Sequence, residues 1–352
     1  MFANEIRIGR SIISPDSSPY LVAEVSANHN NDIDRAKAIV CAAAESGANA
    51  VKFQTYTPDT ITLESSGPDF LAGEGIWEGK TLYELYQQGS LPWEWHQELF
   101  ELAKSLNLDV ISSPFDETAV DFLLKIGVDA LKIASFEIVH IPLIRKCAAS
   151  GLPVIISSGM ATEKEIEEAL DTVAAYQSNV ILLHCVSSYP ADPEKYSIRR
   201  VRELGERFGC LIGLSDHCTT NEVASASVLY GSVFIEKHFT LDRTGGGLDD
   251  SFSLEPSGLE ELRRTADTLY KASNVTTEIS DSEQRSLQYR RSIYASKPIL
   301  RGQMFTKDNL KVVRPGYGLH PRYFEELLGK KAIRDIGFAS PITDRDLGDE
   351  IL

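Results

Sequence analysis

Between Tyr20 and about Ala272 the chain repeats one pattern eight times: a short apolar run rich in Val, Ile and Leu, followed by an amphipathic stretch. The runs are YLVAEVS (20–26), AVKFQ (50–54), DVISS (109–113), ALKIAS (130–135), PVIISS (153–158), VILLHC (180–185), LIGLS (211–215) and VFIEKH (233–238). Such continuous apolar character belongs to parallel strands covered on both faces. Between them, DIDRAKAIVCAAAESG, WEWHQELFELAKSLN, TEKEIEEALDTVAAY and TNEVASASVLYG read as helices, with Asp, Thr or Asn near the start and in places Gly after the end. Eight strand–helix units predict a (β/α)8 TIM barrel of the α/β class. An open doubly wound sheet is the alternative, and the lack of G-x-G-x-x-G after the first strand weighs against it.

The 352 residues exceed a barrel of about 250, so a small second domain is expected. The segment between Thr55 and Ser90, carrying GEGIWEGKTLYELYQQG, is long for a βα loop and is expected to cover one rim of the barrel's C-terminal face. SNVTTEISDSEQRS is polar and reads as a linker. Short β-like runs with turn residues follow, in SIYASKPILRGQMFT and LKVVRPGYGLHP. The division expected is therefore a barrel over 1–272, a linker over 273–286 and a small domain over 287–352.

A net charge of −16 disfavours nucleic acid and anionic membrane as the main partner, since both would be repelled at long range. An anionic small substrate needs only a local nest of Lys, hydroxyl and backbone N–H groups. No apolar run approaches the roughly 20 residues that span a bilayer, and MFANEIRIGRSIIS has no signal-like apolar core, so a cytoplasmic location is expected. The five cysteines are odd in number and unclustered, which argues against a disulfide framework or a zinc knuckle.

Barrel chemistry sits where the strands end. Here every strand end is polar: Glu24; Lys52 and Gln54; Ser112 and Ser113; Lys132, Ser135 and Glu137; Ser157 and Ser158; His184, Ser187, Ser188 and Tyr189; Ser215, Asp216 and His217; Glu236, Lys237 and His238. Singly, each has a bland reading as a solvated residue, a turn or a satisfied edge histidine. Together on one face, Lys52 and Lys132 with the hydroxyls of Ser113, Ser135, Ser157 and Ser215 make an inventory for phosphate and carboxylate. His217 and His238 end neighbouring strands about 4.8 Å apart, so their imidazoles can converge on one cation. With two nitrogens and no obvious third His or Cys, such an open site suits Mn²⁺ or Mg²⁺, with Co²⁺ as a further option, better than structural zinc.

The ordered motifs AEVSANHN, VKFQTY, SSPF, KIASFE, ISSGM, GLSDH and IEKHFTLD resemble those of the sialic-acid (nonulosonic acid) synthases. That family joins phosphoenolpyruvate to an N-acetylated amino sugar and releases phosphate. The tail SIYASKPILRGQMFTKDNLKVVRPGYGLHP resembles its antifreeze-like (SAF, β-clip) lid domain. SANHN, KIASFE, TYTPDT, LYELY, PWEWH and LLGKKA are most similar to the family's pseudaminic branch, which implies 2,4-diacetamido-2,4,6-trideoxy-L-altrose as the sugar. Carried over, phosphoenolpyruvate contacts fall on Lys52, Ser113, Lys132, Ser135, Ser157, Ser187 and Ser215. Metal ligands fall on His217 and His238, and sugar contacts on Gln54, Tyr189, Asp249 and, from the lid, Arg314. The resemblance also implies a domain-swapped homodimer, with Arg314 acting across subunits. Relatives often carry a hydroxyl residue where Cys218 stands, Thr at Val186 and Pro at Leu248, and some carry Asn at Ser187; none of these departures removes a charge.

On this reading Glu24 positions or deprotonates the attacking water, and Glu137 binds sugar or acts as a second acid/base. Glu236 and Asp216 are expected to support the metal histidines. The alternatives are a neuraminate or legionaminate synthase, a metal-dependent aldolase using free pyruvate, and a non-catalytic polysaccharide-binding scaffold.

Overall fold

The computed structural model describes residues 2–73, 79–274 and 279–348. It divides into two compact units, Met1–Val275 and Thr276–Leu352.

The first unit is a closed barrel of eight parallel strands: β3 (Tyr20–Glu24), β4 (Ala50–Thr55), β5 (Asp109–Pro114), β6 (Ala130–Ile133), β7 (Val154–Ser157), β8 (Val180–Cys185), β9 (Leu211–Asp216) and β10 (Phe234–His238). Closure comes from β10 pairing with β3, His238 opposite Glu24. Helices start where the sequence supplies caps. The Asp32 side chain accepts from the amides of Asp34 and Arg35 to open the helix Ile33–Glu45, and Thr162 and Glu165 form a capping box before Glu163–Ala174. The Glu117–Ile126 helix stops at Gly127, whose φ of +80° suits glycine.

Outward strand residues such as Leu21, Val51, Phe53, Val110, Leu131, Ile156 and Leu214 pack against helix residues such as Ile39, Phe100, Leu123 and Leu170. Each fully buried aliphatic or aromatic side chain there contributes about 1.5–3 kcal/mol.

Inside the barrel, side-chain alternation builds two layers with a sharp change of chemistry between them. The lower inward positions are Val22, Ala50, Ile111, Ala130, Ile155, Leu183, Gly213 and Phe234, and the seven that bear side chains belong to one apolar cluster. Gly213 is required by space: a Cβ there would lie 2.4 Å from the Phe234 carbonyl oxygen and 2.6 Å from Leu183 Cδ2. Two residues further along each strand stand Glu24, Lys52, Ser113, Lys132, Ser157, Cys185, Ser215 and Glu236.

Below the apolar layer lies a hairpin that the periodicity does not reveal, β1 (Ile6–Ile8) and β2 (Ser11–Ile13), whose Ile6, Ile8 and Ile13 complete the cluster with Tyr20 and Phe234. Three-residue strands are too short to register as alternation. Gly9 makes the turn at φ +51°, where a Cβ would meet Asp109 Oδ1 at 2.3 Å, and the Arg10 amide donates to that oxygen.

The segment after β4 contains short helices at Pro58–Ile61 and Leu82–Gly89, the latter opened by a Thr81–Glu84 capping box. Tyr56, one residue past β4, packs on Tyr86 at 5.8 Å and on Phe115, just past β5, at 5.1 Å between ring centroids. The segment therefore lies on the C-terminal side of the barrel. Residues 74–78 of the GEGIWEGK stretch lie outside the described residues.

The second unit holds β11 (Ser292–Ala295) antiparallel to β12 (Leu310–Val313), around a core of Ile293, Ile299, Phe305, Leu310, Leu327, Ile336 and Ile342. The polar stretch expected as a linker is partly helical: Ser280 and Glu283 form a capping box and Asp281–Ser286 is an α-helix, which needs no apolar face to satisfy its first turn. Residues 275–278 lie outside the described residues. Among the described residues no helix is long and apolar enough to cross a membrane.

Candidate active site

The polar ring is held together by two buried ion-pair systems. Lys52 Nζ lies 2.7 Å from Glu24 Oε2, and Gln54 Nε2 donates to Glu24 Oε1 at 2.8 Å. Glu236 Oε1 is shared by Lys132 Nζ at 3.2 Å, Ser215 Oγ at 3.3 Å and Lys52 Nζ at 3.5 Å. Ser113 accepts from Lys52 at 3.4 Å.

Burial pushes the Glu24 carboxyl above its ordinary value despite Lys52. Burial opposes ionisation of Glu236 too, but Lys132 and Lys52 outweigh it and hold that carboxylate down. Lys132 is lowered by burial that Glu236 only partly offsets, whereas at Lys52 the two carboxylates overcome burial and raise the ammonium. Two lysines and two carboxylates leave the ring close to neutral, so an incoming anion competes with Glu236 for the lysine donors.

Above Ser157, the turn after β7 approaches its neighbours closely. Gly159 has φ +46°, and a Cβ on it would stand 2.4 Å from Ser135 Cβ and 2.7 Å from Ser187 Oγ. Ser187 donates to Ser135 at 2.8 Å, and Ser157 Oγ is buried without a hydrogen-bond partner. Three hydroxyls around a glycine turn make a cradle suited to phosphate oxygens.

The next inward positions carry His217 and His238, with ring centroids 5.4 Å apart and planes at 70°. His217 Nδ1 lies 2.8 Å from the Val186 carbonyl oxygen, which fixes the proton on Nδ1 and leaves the Nε2 lone pair available. Burial keeps His217 neutral, lowering it to about 4, and lowers His238 well below the usual imidazole range. His238 Nδ1 is buried without a hydrogen bond, 3.7 Å from Asp249 Oδ2. Two neutral imidazoles with unused lone pairs are a donor set that fits a divalent cation. Among the described residues no three or more His, Cys, Asp or Glu side chains gather as a metal-holding group, so a closed four-ligand zinc centre is not built here.

An aromatic wall flanks the imidazoles. Tyr189 lies 4.3 Å from the His217 ring and 5.4 Å from Phe252, which packs 5.1 Å from His238. Asp249 accepts a hydrogen bond from Ser26 Oγ, and burial lifts its carboxyl to about 7. Glu137, past β6, is likewise raised to about 7 by burial, with Oε2 unpartnered.

The barrel mouth thus brings together Glu24, Lys52, Gln54, Ser113, Lys132, Ser135, Ser157, Ser187, Ser215, His217, His238, Tyr189 and Asp249. Arg314 belongs to the second unit, exposed just past β12.

One assignment changes, and the other loses direct contact with the imidazoles. Glu236 does not support the histidines but serves as counter-ion to Lys52 and Lys132. Asp216 points away from them, to Lys237 Nζ at 2.8 Å, because adjacent strand residues face opposite sides. The sequence does not single out Ser26 or Phe252: Ser26 adopts φ +52°, a conformation no motif announces for serine, and Phe252 ends a three-residue 3-10 turn, Asp250–Phe252, too short to show a period.

A (β/α)8 barrel with a lysine–serine ring under paired neutral imidazoles belongs to the class of barrel enzymes furnished for anionic substrates. The chain is a member of the NeuB family, which matches residues 39–278, and it carries an SAF domain over residues 290–348. It is 39% identical to the pseudaminic acid synthase of Helicobacter pylori, over 94% of this chain and 98% of that one. It is 36% identical to the N,N'-diacetyllegionaminic acid synthase of Legionella pneumophila, over 89% and 90%. Among solved structures, the N-acetylneuraminic acid synthetase of Leptospira borgpetersenii superposes with a TM-score of 0.73 at 33% identity, over 82% of this chain and 97% of that one.

Proposed function

We propose that the protein condenses phosphoenolpyruvate with 2,4-diacetamido-2,4,6-trideoxy-L-altrose and water, giving pseudaminic acid and phosphate. The observation that carries this reading is the stacking of two layers: lysines and serines for an anion, then two neutral imidazoles one step nearer the mouth. The full-length likeness to the Helicobacter pylori enzyme supports the choice of sugar, as do the SANHN, KIASFE and PWEWH stretches.

Lys52 and Lys132 hold the phosphate and carboxylate, exchanging the Glu236 contact for the substrate, and the Ser135, Ser157 and Ser187 hydroxyls complete the phosphate cradle. Gln54, Tyr189 and Asp249 orient the open-chain sugar so that its aldehyde carbon faces the enol carbon. A divalent ion on His217 and His238, Mn²⁺ being the best match to the donor set, would polarise the aldehyde oxygen. The enol carbon bonds to that aldehyde carbon, whose oxygen takes up a proton; water adds to the resulting cationic C2, and the C2–O bond to phosphate breaks with the electron pair on phosphate, which takes the C2 hydroxyl proton as the keto group forms. Glu24, buried and raised, takes the proton of that water, with Lys52 at 2.7 Å stabilising its ionised form beforehand. Glu137 binds the sugar or moves a second proton. The protein acts in the cytoplasm as a homodimer, with Arg314 of the SAF domain reaching a partner's sugar site.

The test is phosphate release from phosphoenolpyruvate with Mn²⁺ and each of the altrose, legionaminate and mannosamine precursors. Turnover is expected with the altrose sugar and not with His238→Ala. Near wild-type turnover by that variant removes the metal role, and preference for another sugar moves the protein to a sister activity. Carbon–carbon bond formation from free pyruvate, with no phosphate released, makes it an aldolase.

A further inference from the structure

Lys237 and Asp216 form a buried charged pair whose hydrogen-bonding groups are partnered, and the reaction proposed above uses neither. Both are almost fully enclosed, at 2% and 1% exposure. They face each other in the β9–β10 register. Lys237 Nζ meets Asp216 Oδ2 at 2.8 Å, the Cys218 carbonyl at 2.8 Å and the Thr220 carbonyl at 2.7 Å. Those three acceptors match the three donors of an ammonium. Asp216 Oδ1 also accepts from the Cys218 amide at 3.0 Å.

The position of this pair is what gives it meaning. Asp216 immediately precedes His217, and Lys237 immediately precedes His238. Because strand side chains alternate, the ion pair sits behind the barrel wall while the imidazoles emerge inside it. One ammonium thereby ties the end of β10 to the end of β9 and to the first turn after it. The remaining hydrogen bonds of His217 are its amide, which donates to Tyr196 Oη at 2.7 Å, its carbonyl, which accepts from the Ala191 amide at 3.0 Å, and Nδ1 on the Val186 carbonyl. None of these three reaches β10.

We propose that Lys237 and Asp216 are positioning residues, a clamp that sets the separation and facing of the His217 and His238 imidazoles and so their joint affinity for a divalent cation. The inference rests on the two-imidazole site proposed above. A merely structural pair would lower the melting temperature without altering the cation's surroundings.

The test is Mn²⁺ binding to the full chain without substrate, read by the electron paramagnetic resonance spectrum of the bound ion and by titration. Lys237→Met and Asp216→Asn are expected to weaken Mn²⁺ binding about 10- to 100-fold, the range seen when groups that orient metal ligands are removed. The bound-ion spectrum should change as well. If Lys237→Met fails to fold, Asp216→Asn decides, since Lys237 keeps both of its carbonyl partners there. Folded clamp variants that bind Mn²⁺ within about twofold of wild type, with an unchanged spectrum, overturn the clamp. His238→Ala separates the two levels: if it loses Mn²⁺ while the clamp variants do not, only the clamp falls. If the wild-type protein binds no Mn²⁺, the site and the clamp fall together.

Discussion

Lys52 and Glu24 are direct partners across adjacent strands, 2.7 Å apart and sealed from solvent. Lys52→Met strands the Glu24 carboxyl and should cost about 3–5 kcal/mol of stability, Glu24→Gln should cost less because Lys52 keeps Glu236 at 3.5 Å, and the double variant should recover part of the loss. Urea unfolding of the four proteins measures the coupling; additive losses would mean that the pair does not interact.

Lys132 holds Glu236 at 3.2 Å and would exchange that carboxylate for the substrate. Charge-assisted hydrogen bonds of about 1.5–3 kcal/mol predict that Lys132→Met raises KM for phosphoenolpyruvate roughly 10- to 150-fold. Steady-state phosphate release checks this, and an unchanged KM takes Lys132 out of the anion site.

Glu137 gives a pH signature. Burial raises its carboxyl from 4.5 to about 7 in the folded protein. The native state therefore binds more protons than the unfolded one between those values, and this contribution to stability is full below about 4.5 and lost as pH rises through 7. Glu137→Gln carries no such loss, so its stability relative to wild type should improve from pH 5 to pH 8 by on the order of 1–3 kcal/mol. Thermal melts at both pH values decide; a constant difference contradicts the buried carboxyl.

Chelation should abolish phosphate release, and added Mn²⁺ should restore it in the wild type but not in His217→Ala. Retained activity after exhaustive dialysis against a chelator, with metal content verified by elemental analysis, would argue for chemistry carried by the side chains alone.

Much of the barrel can be read in the sequence because strands buried on both faces are written as unbroken apolar runs, and each of the eight barrel strands overlaps its run. The polar strand ends were equally visible. What the run pattern hides is direction. In LSDH and IEKH, strict alternation sends Ser215, His217, Glu236 and His238 inward and Asp216 and Lys237 outward, so Asp216 can bear on the histidines only from behind the wall and not by direct contact. The hairpin at Ile6–Ile13 escaped because it has too few residues to show a period. Ser26 escaped because its role depends on a left-handed backbone that serine seldom adopts.

The apolar floor of Val22, Ile111, Ile155, Leu183 and Phe234, backed by the N-terminal hairpin, makes the barrel a well with a single door. Whatever the lysines grip sits at the bottom, and whatever the imidazoles and Asp249 engage sits above it. On the reaction proposed above, this depth sets an order that product-inhibition patterns can check: the anion gripped by the lysines enters ahead of the sugar, and the group left at the bottom leaves last.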